Sequence, residues 1–275
     1  MKDISLWLIT NKPDIAAFAV NNGVDRIFVD LELIGKLERQ GHLNTVISYH
    51  TINDVKNIRK VVTGKNLLVR SNPIHPKTKV EIEEIVDAGA DIIMLPMWKT
   101  MQEVETFVDC VAGRAKICLL AETPESLELI PNLCKINAID EFHIGLNDLH
   151  LALHKKFMFE LLLDGTLTET INCLRNNNKV FGIGGLARIG EGLVPAETIL
   201  AEHIRLGSQA AILSRTFHRN ANDLKSLKAE MNLRKEIDKI KSLYNYYQNQ
   251  TEEYLEQLHI KFESLVKAVL NSHAK

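Results

Sequence analysis

A chain of 275 residues, 45% hydrophobic and 25% charged, has the balance of an ordinary globular protein and length for one large α/β unit with a modest extension. The formal net charge of -2 leaves no basic excess to neutralise a phosphate backbone, which argues against nucleic acid as the main partner. Four cysteines, Cys110, Cys118, Cys134 and Cys173, show neither the paired spacing of a zinc site nor the density of a disulfide scaffold, and read as reduced core thiols.

The first apolar run, 4–10, stops at Asn11, Lys12 and Pro13, too short for a signal peptide's apolar region or a membrane span. A cytoplasmic location with no membrane partner is the expectation. Seven further β-rich runs follow, at 26–32, 66–72, 91–97, 116–122, 141–149, 180–187 and 209–217. Between them lie stretches of helical period, such as 78–88 with Val80, Ile82, Ile85 and Val86, and 196–206 with Ile199, Leu200, His203 and Ile204. Gly23, Gly89 and Gly207 each stand between a helical stretch and the next strand, as C-capping punctuation does. Eight near-continuous apolar strands alternating with helices favour a closed (β/α)8 barrel over residues 1–219, with an open doubly wound sheet as the alternative.

No glycine or proline follows Gly207, and residues 220–275 read as a helical extension. Leu224, Leu227 and Met231 begin an apolar stripe that Ile237, Ile240, Tyr244, Tyr247, Tyr254, Leu258, Phe262, Leu265 and Val269 continue past a break near 249–251. Such length suggests an arm docked on a neighbouring subunit of a homo-oligomer, although packing on its own barrel explains the stripe too.

In a barrel of this kind the active site forms at the C-terminal ends of the strands, so polar residues that end the apolar runs come first. Run two ends in Asp30 and Glu32, run three in Arg70 and Asn72, run five in Glu122, run six in Asn147 and Asp148, and run eight in Arg215. Glu122 and Asp148, from adjacent strands, suit a hard divalent ion, Mg²⁺ or Mn²⁺, that keeps waters and substrate oxygens in its other positions. Taken singly, each acid is equally explained as a cap of the helix that follows, beginning at Pro124 or Leu149. Arg70 offers a planar fork of N–H donors to a carboxylate or enolate oxygen, or an internal salt bridge to Glu32 or Glu122. The glycines of 182–187 allow a phosphate site with Arg188 or Arg215 holding an anionic tail, and are equally explained by close packing.

Five stretches carry a resemblance: Phe28-Val29-Asp30-Leu31-Glu32, Leu68-Val69-Arg70-Ser71-Asn72, 86–96, Ala121-Glu122-Thr123 and Ile144-Gly145-Leu146-Asn147-Asp148-Leu149. In order and spacing they resemble the HpcH/HpaI aldolase and citrate lyase β-subunit-like family of pyruvate-dependent class II aldolases. The resemblance implies a metal-dependent carbon–carbon lyase acting through a pyruvate-type enolate, with Glu122 and Asp148 as metal ligands and Arg70 stabilising the enolate oxygen. It also implies that backbone amides at Gly145, Leu146 and Asn147 receive the substrate carboxylate, and that the assembly is a trimer or hexamer. The family's aldolases place a histidine directly after the acidic D-x-E, where this chain has Leu33. Glu32 is the first replacement as proton acceptor, ahead of Asp30 and of His50 in the connection before the next helix. Lys99 lies beyond strand four, which makes imine chemistry the weaker route. The substrate is then a 2-oxo acid. The alternatives are an acyl thioester of the citryl- or malyl-CoA kind, a phosphate-bearing compound bound at Gly184 and Gly185, or a non-catalytic assembly subunit that binds no metal.

Overall fold

The computed structural model describes residues 3–36, 48–64, 67–217, 221 and 223–272. Eight strands run along the chain as β1 (Ser5–Ile9), β2 (Arg26–Asp30), β3 (Leu67–Arg70), β4 (Ile92–Leu95), β5 (Lys116–Ala121), β6 (Glu141–Ile144), β7 (Val180–Leu186) and β8 (Ala210–Leu213). Every neighbouring pair is parallel, and β8 returns to β1 with Trp7 opposite Ile212, so the sheet closes in chain order into a (β/α)8 barrel. Between the strands lie α1 (Pro13–Asn21), α2 (Ile52–Val61), α3 (Thr78–Asp87), α4 (Met101–Val111), α5 (Pro124–Leu133), α6 (Leu146–Ala152), α7 (Thr168–Asn176) and α8 (Ala196–Leu206). Asn66, the start of the third run, falls outside the described residues.

Local sequence sets these boundaries. Thr51, Thr100 and Thr123 each cap a helix, their hydroxyls accepting the backbone N–H three residues on in reciprocal capping boxes. Gly207 ends α8 at φ 81, a left-handed conformation that costs a side-chain-bearing residue energy. Successive strand residues face opposite sides, so Trp7, Phe28, Leu68, Met94, Cys118 and Leu120 fill the barrel while Leu6, Leu8, Ile27, Val69, Ile93 and Leu119 pack beneath the helices. Each such side chain, fully buried, stabilises the fold by about 1.5–3 kcal/mol. Low in the barrel, the Arg26 guanidinium pairs with Glu141 at 2.8 Å and lies 4.8 Å from the Trp7 ring, so an interior charge is both paired and stacked.

Two runs end earlier than their apolarity suggests. Run 141–149 is strand only to Ile144; Gly145 breaks it, and α6 begins at Leu146. Run 209–217 is strand to Leu213, then a 3₁₀ turn at Arg215–Phe217.

The extension is helical, as α9 (Leu224–Glu230), α10 (Leu233–Gln248) and α11 (Glu252–Ser272), with the expected break at 249–251. Its apolar stripe faces this chain's own barrel. Beside the N-terminal ends of the strands, Lys241 of α10 pairs with Asp25 at 2.9 Å and the Tyr244 hydroxyl donates to the Ser208 carbonyl at 3.0 Å. α11 packs along α8, burying Phe262 and Val266 and joining His259 to Glu202 at 2.9 Å. Among the described residues, no helix is long and apolar enough to cross a membrane.

Candidate active site

Alternation along β2 and β3 carries Asp30 and Arg70 to the mouth of the barrel above Phe28 and Leu68, paired in register across the two strands. The Arg70 fork grips Asp30 along one edge, Nε to Oδ1 at 2.8 Å and Nη2 to Oδ2 at 2.9 Å, and its carbon lies 5.5 Å from the Phe28 ring. Nη2 also stands 3.3 Å from Glu32. The internal salt bridge open at the sequence level is therefore made, mainly to Asp30. Burial alone would raise the Asp30 pKa, but Arg70 and then Lys36 outweigh it and hold this carboxylate far below its usual range. The same attraction, from Asp30, then Glu32 and Glu122, raises Arg70 against the opposing effect of burial. An Asp30 so held stays ionised and orients Arg70 rather than accepting protons.

Lys36 belongs to this cluster and was not singled out in the sequence. A turn through Gly35, at φ 72, brings its buried ammonium to 2.6 Å from Asp30 and 3.7 Å from Glu32. The spacing, four residues after Glu32 and six after Asp30, is the signal that was available. Leu33, directly after the D-x-E acids, is 44% exposed, and its N–H and that of Ile34 donate to Asn72 Oδ1 at 2.8 and 2.9 Å. Asn72 in turn donates to Glu81, which also holds His75, so the turn is tied to β3 and α3. His50 packs against the other side of β2, its Nδ1 accepting the Asp30 backbone N–H at 3.0 Å. Burial pushes its pKa down despite the pull of Asp30, and with Nδ1 accepting, the neutral form of the ring carries its proton on Nε2.

Glu122 follows β5 and is buried, with Oε1 accepting the Met97 N–H at 3.2 Å. It does not cap α5; Thr123 does. Asp148 is likewise no N-cap, standing half-buried in the first turn of α6 after Gly145. It therefore reaches the mouth from a helix rather than from a strand end. Gly145 binds these two parts together: a Cβ there would lie 2.8 Å from the Glu122 Cβ and 2.9 Å from its Oε2, so residue 145 must lack a side chain for Glu122 to keep this position. Its N–H is taken by the Ala121 carbonyl at 2.9 Å and is not available to a substrate carboxylate, whereas Leu146 and Asn147 stand in the first turn of α6.

The donor set fits a hard divalent ion. Its two carboxylates stand on neighbouring elements, Glu122 just after β5 and Asp148 in the first turn of α6, and the missing side chain at Gly145 keeps space beside one Glu122 oxygen. Among the described residues no group of three or more His, Cys, Asp or Glu could hold a metal.

Several other sequence candidates lie elsewhere. Lys99 is exposed and faces Glu125 at 3.5 Å, Arg188 pairs with Glu191 at 2.6 Å, and Arg215 is exposed at the rim. Gly182 is explained by packing, since a Cβ there would fall 2.4 Å from His143 Nδ1. The Gly184 carbonyl accepts from the same ring at 3.1 Å.

A closed parallel barrel with acids and an oriented arginine at the C-terminal ends of its strands is the architecture of the (β/α)8 enzymes, whose active sites form at that face. A family model described as HpcH/HpaI aldolase/citrate lyase matches residues 3–160, and the chain belongs to that family. Its function is accordingly of the lyase type. Among solved structures it resembles an HpcH/HpaI aldolase from Desulfitobacterium hafniense DCB-2 (15% identity, 83% of this chain and 89% of that one, TM-score 0.60). It also resembles an HpcH/HpaI aldolase/citrate lyase family protein from Burkholderia cenocepacia J2315 (11%, 84% and 95%, TM-score 0.61). A third likeness is to the citrate synthase SbnG (14%, 83% and 94%, TM-score 0.58). At these identities the likeness is one of fold. No curated protein matches the chain in sequence.

Proposed function

We propose that the chain is a divalent-metal-dependent aldolase that makes or breaks the C3–C4 bond of a 4-hydroxy-2-oxo acid through a pyruvate enolate. The observation that carries this reading is the Arg70 fork, fixed by Asp30 beside Glu32 and within the field of Glu122. Its contact with Asp30 uses Nε and Nη2, which turns the Nη1 side toward a substrate oxygen. Charge that grows on the 2-oxo oxygen as the bond breaks meets a donor already in position, so the transition state gains more than the neutral carbonyl does. The first-turn N–H groups of Leu146 and Asn147 receive the carboxylate. Glu32 faces the same two cations as Asp30 but at 3.3 and 3.7 Å, and we assign it to take the proton of the 4-hydroxyl. Glu122 and Asp148 would hold Mg²⁺ or Mn²⁺, which when bound supplies a Lewis acid and orients the 2-oxo acid. A homo-oligomer, trimer or hexamer, in the cytoplasm completes the reading.

The test follows the methyl protons of pyruvate by NMR in D₂O, with and without Mg²⁺ or Mn²⁺. Metal-dependent loss of the signal, abolished in Glu122→Ala, is the expected result. Metal-independent exchange, or exchange that survives in Glu122→Ala, would overturn the assignment.

A further inference from the structure

A cavity of about 520 Å³ opens beside the mouth, at the C-terminal ends of β7 and β8, and nothing in the enolate chemistry uses it. One wall is aromatic, with Phe157 and Phe159 in edge-to-face contact at 5.2 Å and Met158 between them in the chain. Leu193 and Val194, from the loop between β7 and α8, line it as well, and Ser214, Arg215 and Thr216 stand where β8 ends, Arg215 being the charged residue of the lining. Leu193 is 72% exposed, an apolar side chain left to water beside a concave apolar surface.

Two contacts tie this cavity to the rest of the molecule. Gly184 of β7 lies so near α6 that a Cβ there would come within 2.9 Å of Leu146 Cδ1, and Gly185, the next residue, lines the cavity. The cavity thus begins one residue away from contact with the turn that presents Leu146, Asn147 and Asp148. On its far side Phe159 packs edge-on against Phe262 of α11 at 6.0 Å. The extension, longer than a barrel needs, therefore backs the aromatic wall and holds it in place.

We propose that this cavity binds the carbonyl partner of the enolate and that this partner is an apolar aldehyde, bearing an aryl or branched alkyl group. The proposal rests on the enolate reading for its position. In the bond-forming direction pyruvate gives up a methyl proton, the carbon so freed bonds to the aldehyde carbon, and the aldehyde oxygen takes up a proton to become the 4-hydroxyl. Hydroxyl groups at the β8 end suit the reacting oxygen, and the aromatic and aliphatic walls suit an uncharged remainder. An engineered apolar cavity of about 150 Å³ already holds benzene, so the volume is ample for such a group. A phosphate or second carboxylate would find one cation, the exposed Arg215 at the rim, and otherwise walls of carbon on which to leave its water.

Full-length protein with Mn²⁺ is given pyruvate and either benzaldehyde, glycolaldehyde or succinic semialdehyde, and the 4-hydroxy-2-oxo acid formed is measured. Benzaldehyde is expected to show kcat/KM at least about tenfold above the other two, and Leu193→Glu to erase that preference. In parallel, saturation-transfer NMR follows benzyl alcohol, a probe that needs no catalysis, and its binding should weaken about tenfold or more in Leu193→Glu. A preference for succinic semialdehyde, or equal alcohol binding in both proteins, overturns the proposal. So does a change of oligomer mass in Leu193→Glu with alcohol binding intact, which assigns the surface to a subunit contact. Absence of pyruvate exchange in the unaltered protein sinks the enolate reading and, with it, the assignment of an aldehyde. The alcohol result then decides separately whether the cavity takes an apolar ligand.

Discussion

Asp30→Asn tests whether the mouth is held together by one carboxylate. In the native chain Asp30 accepts from Arg70 at 2.8 and 2.9 Å and from Lys36 at 2.6 Å, with Asp30 and Lys36 nearly inaccessible to solvent. Asparagine preserves volume but turns one carboxylate oxygen into an amide N–H facing a cation, leaving Glu32 at 3.3 and 3.7 Å as the neighbouring counter-charge. Removing one partner of a buried ion pair costs about 3–5 kcal/mol, because the other charge stays buried. With a urea slope near ~3 kcal/mol/M for a chain of this size, the midpoint should fall by about 1–1.7 M. Trp7 and Trp98 are both buried, so intrinsic fluorescence reports the transition, and far-UV circular dichroism should move with it. The pH dependence gives a second reading. Because the folded pKa of Asp30 is depressed, its contribution is fully present above the unfolded value near ~4 and is lost as pH falls below it. Between about pH 4 and pH 2 the native chain should lose ~1.4 kcal/mol per pH unit that Asp30→Asn does not lose. A midpoint shift under about 0.3 M, or parallel acid curves, would refute the role given to Asp30.

Gly145→Ala should drive the Glu122 carboxylate from its place; a loss of about 1–3 kcal/mol by thermal melting and a Mn²⁺ affinity lower by about tenfold or more are expected, and unchanged affinity by calorimetry would count against the site. Lys36→Met removes the second cation from Asp30 and Glu32, and should cost about 3 kcal/mol in urea unfolding, more than half of it restored by Lys36→Arg. Phe262→Ala, at a fully buried position between α11 and Phe159, should cost about 3–5 kcal/mol, with tryptophan fluorescence and helix content changing in one transition; two transitions would mean the extension unfolds apart from the barrel.

The barrel was legible because its strands are short apolar runs separated by helical period and glycine punctuation, and each signal survives in a single sequence. Asp30, Glu32, Arg70 and Glu122 were legible as polar residues ending those runs. Asp148 was found for a different reason than the one that places it: an apolar run does not say where strand becomes helix, and 141–149 holds both. Lys36 and His50 were harder. Lys36 reaches Asp30 by way of a left-handed Gly35, and His50 accepts a backbone N–H from a residue twenty positions away, and neither the turn nor the approach leaves a pattern in composition. The role of Gly145 was misjudged because its use is steric: it makes room beside Glu122 and spends its own N–H on Ala121.

The mouth also has a charge balance that single residues conceal. Asp30, Glu32, Glu122 and Asp148 bring four negative charges and Arg70 and Lys36 two positive ones, so these six groups sum to -2, -4 plus 2, when ionised. The two cations lie on the β2–β3 side, where Asp30 spends both oxygens on them, and this arrangement exists before any substrate arrives. An arginine oriented in advance stabilises developing negative charge without reorganising at the moment of reaction. A divalent cation at Glu122 and Asp148 would bring the six-group sum to zero, and a 2-oxo acid would then enter between two centres of positive charge rather than meet a net negative field.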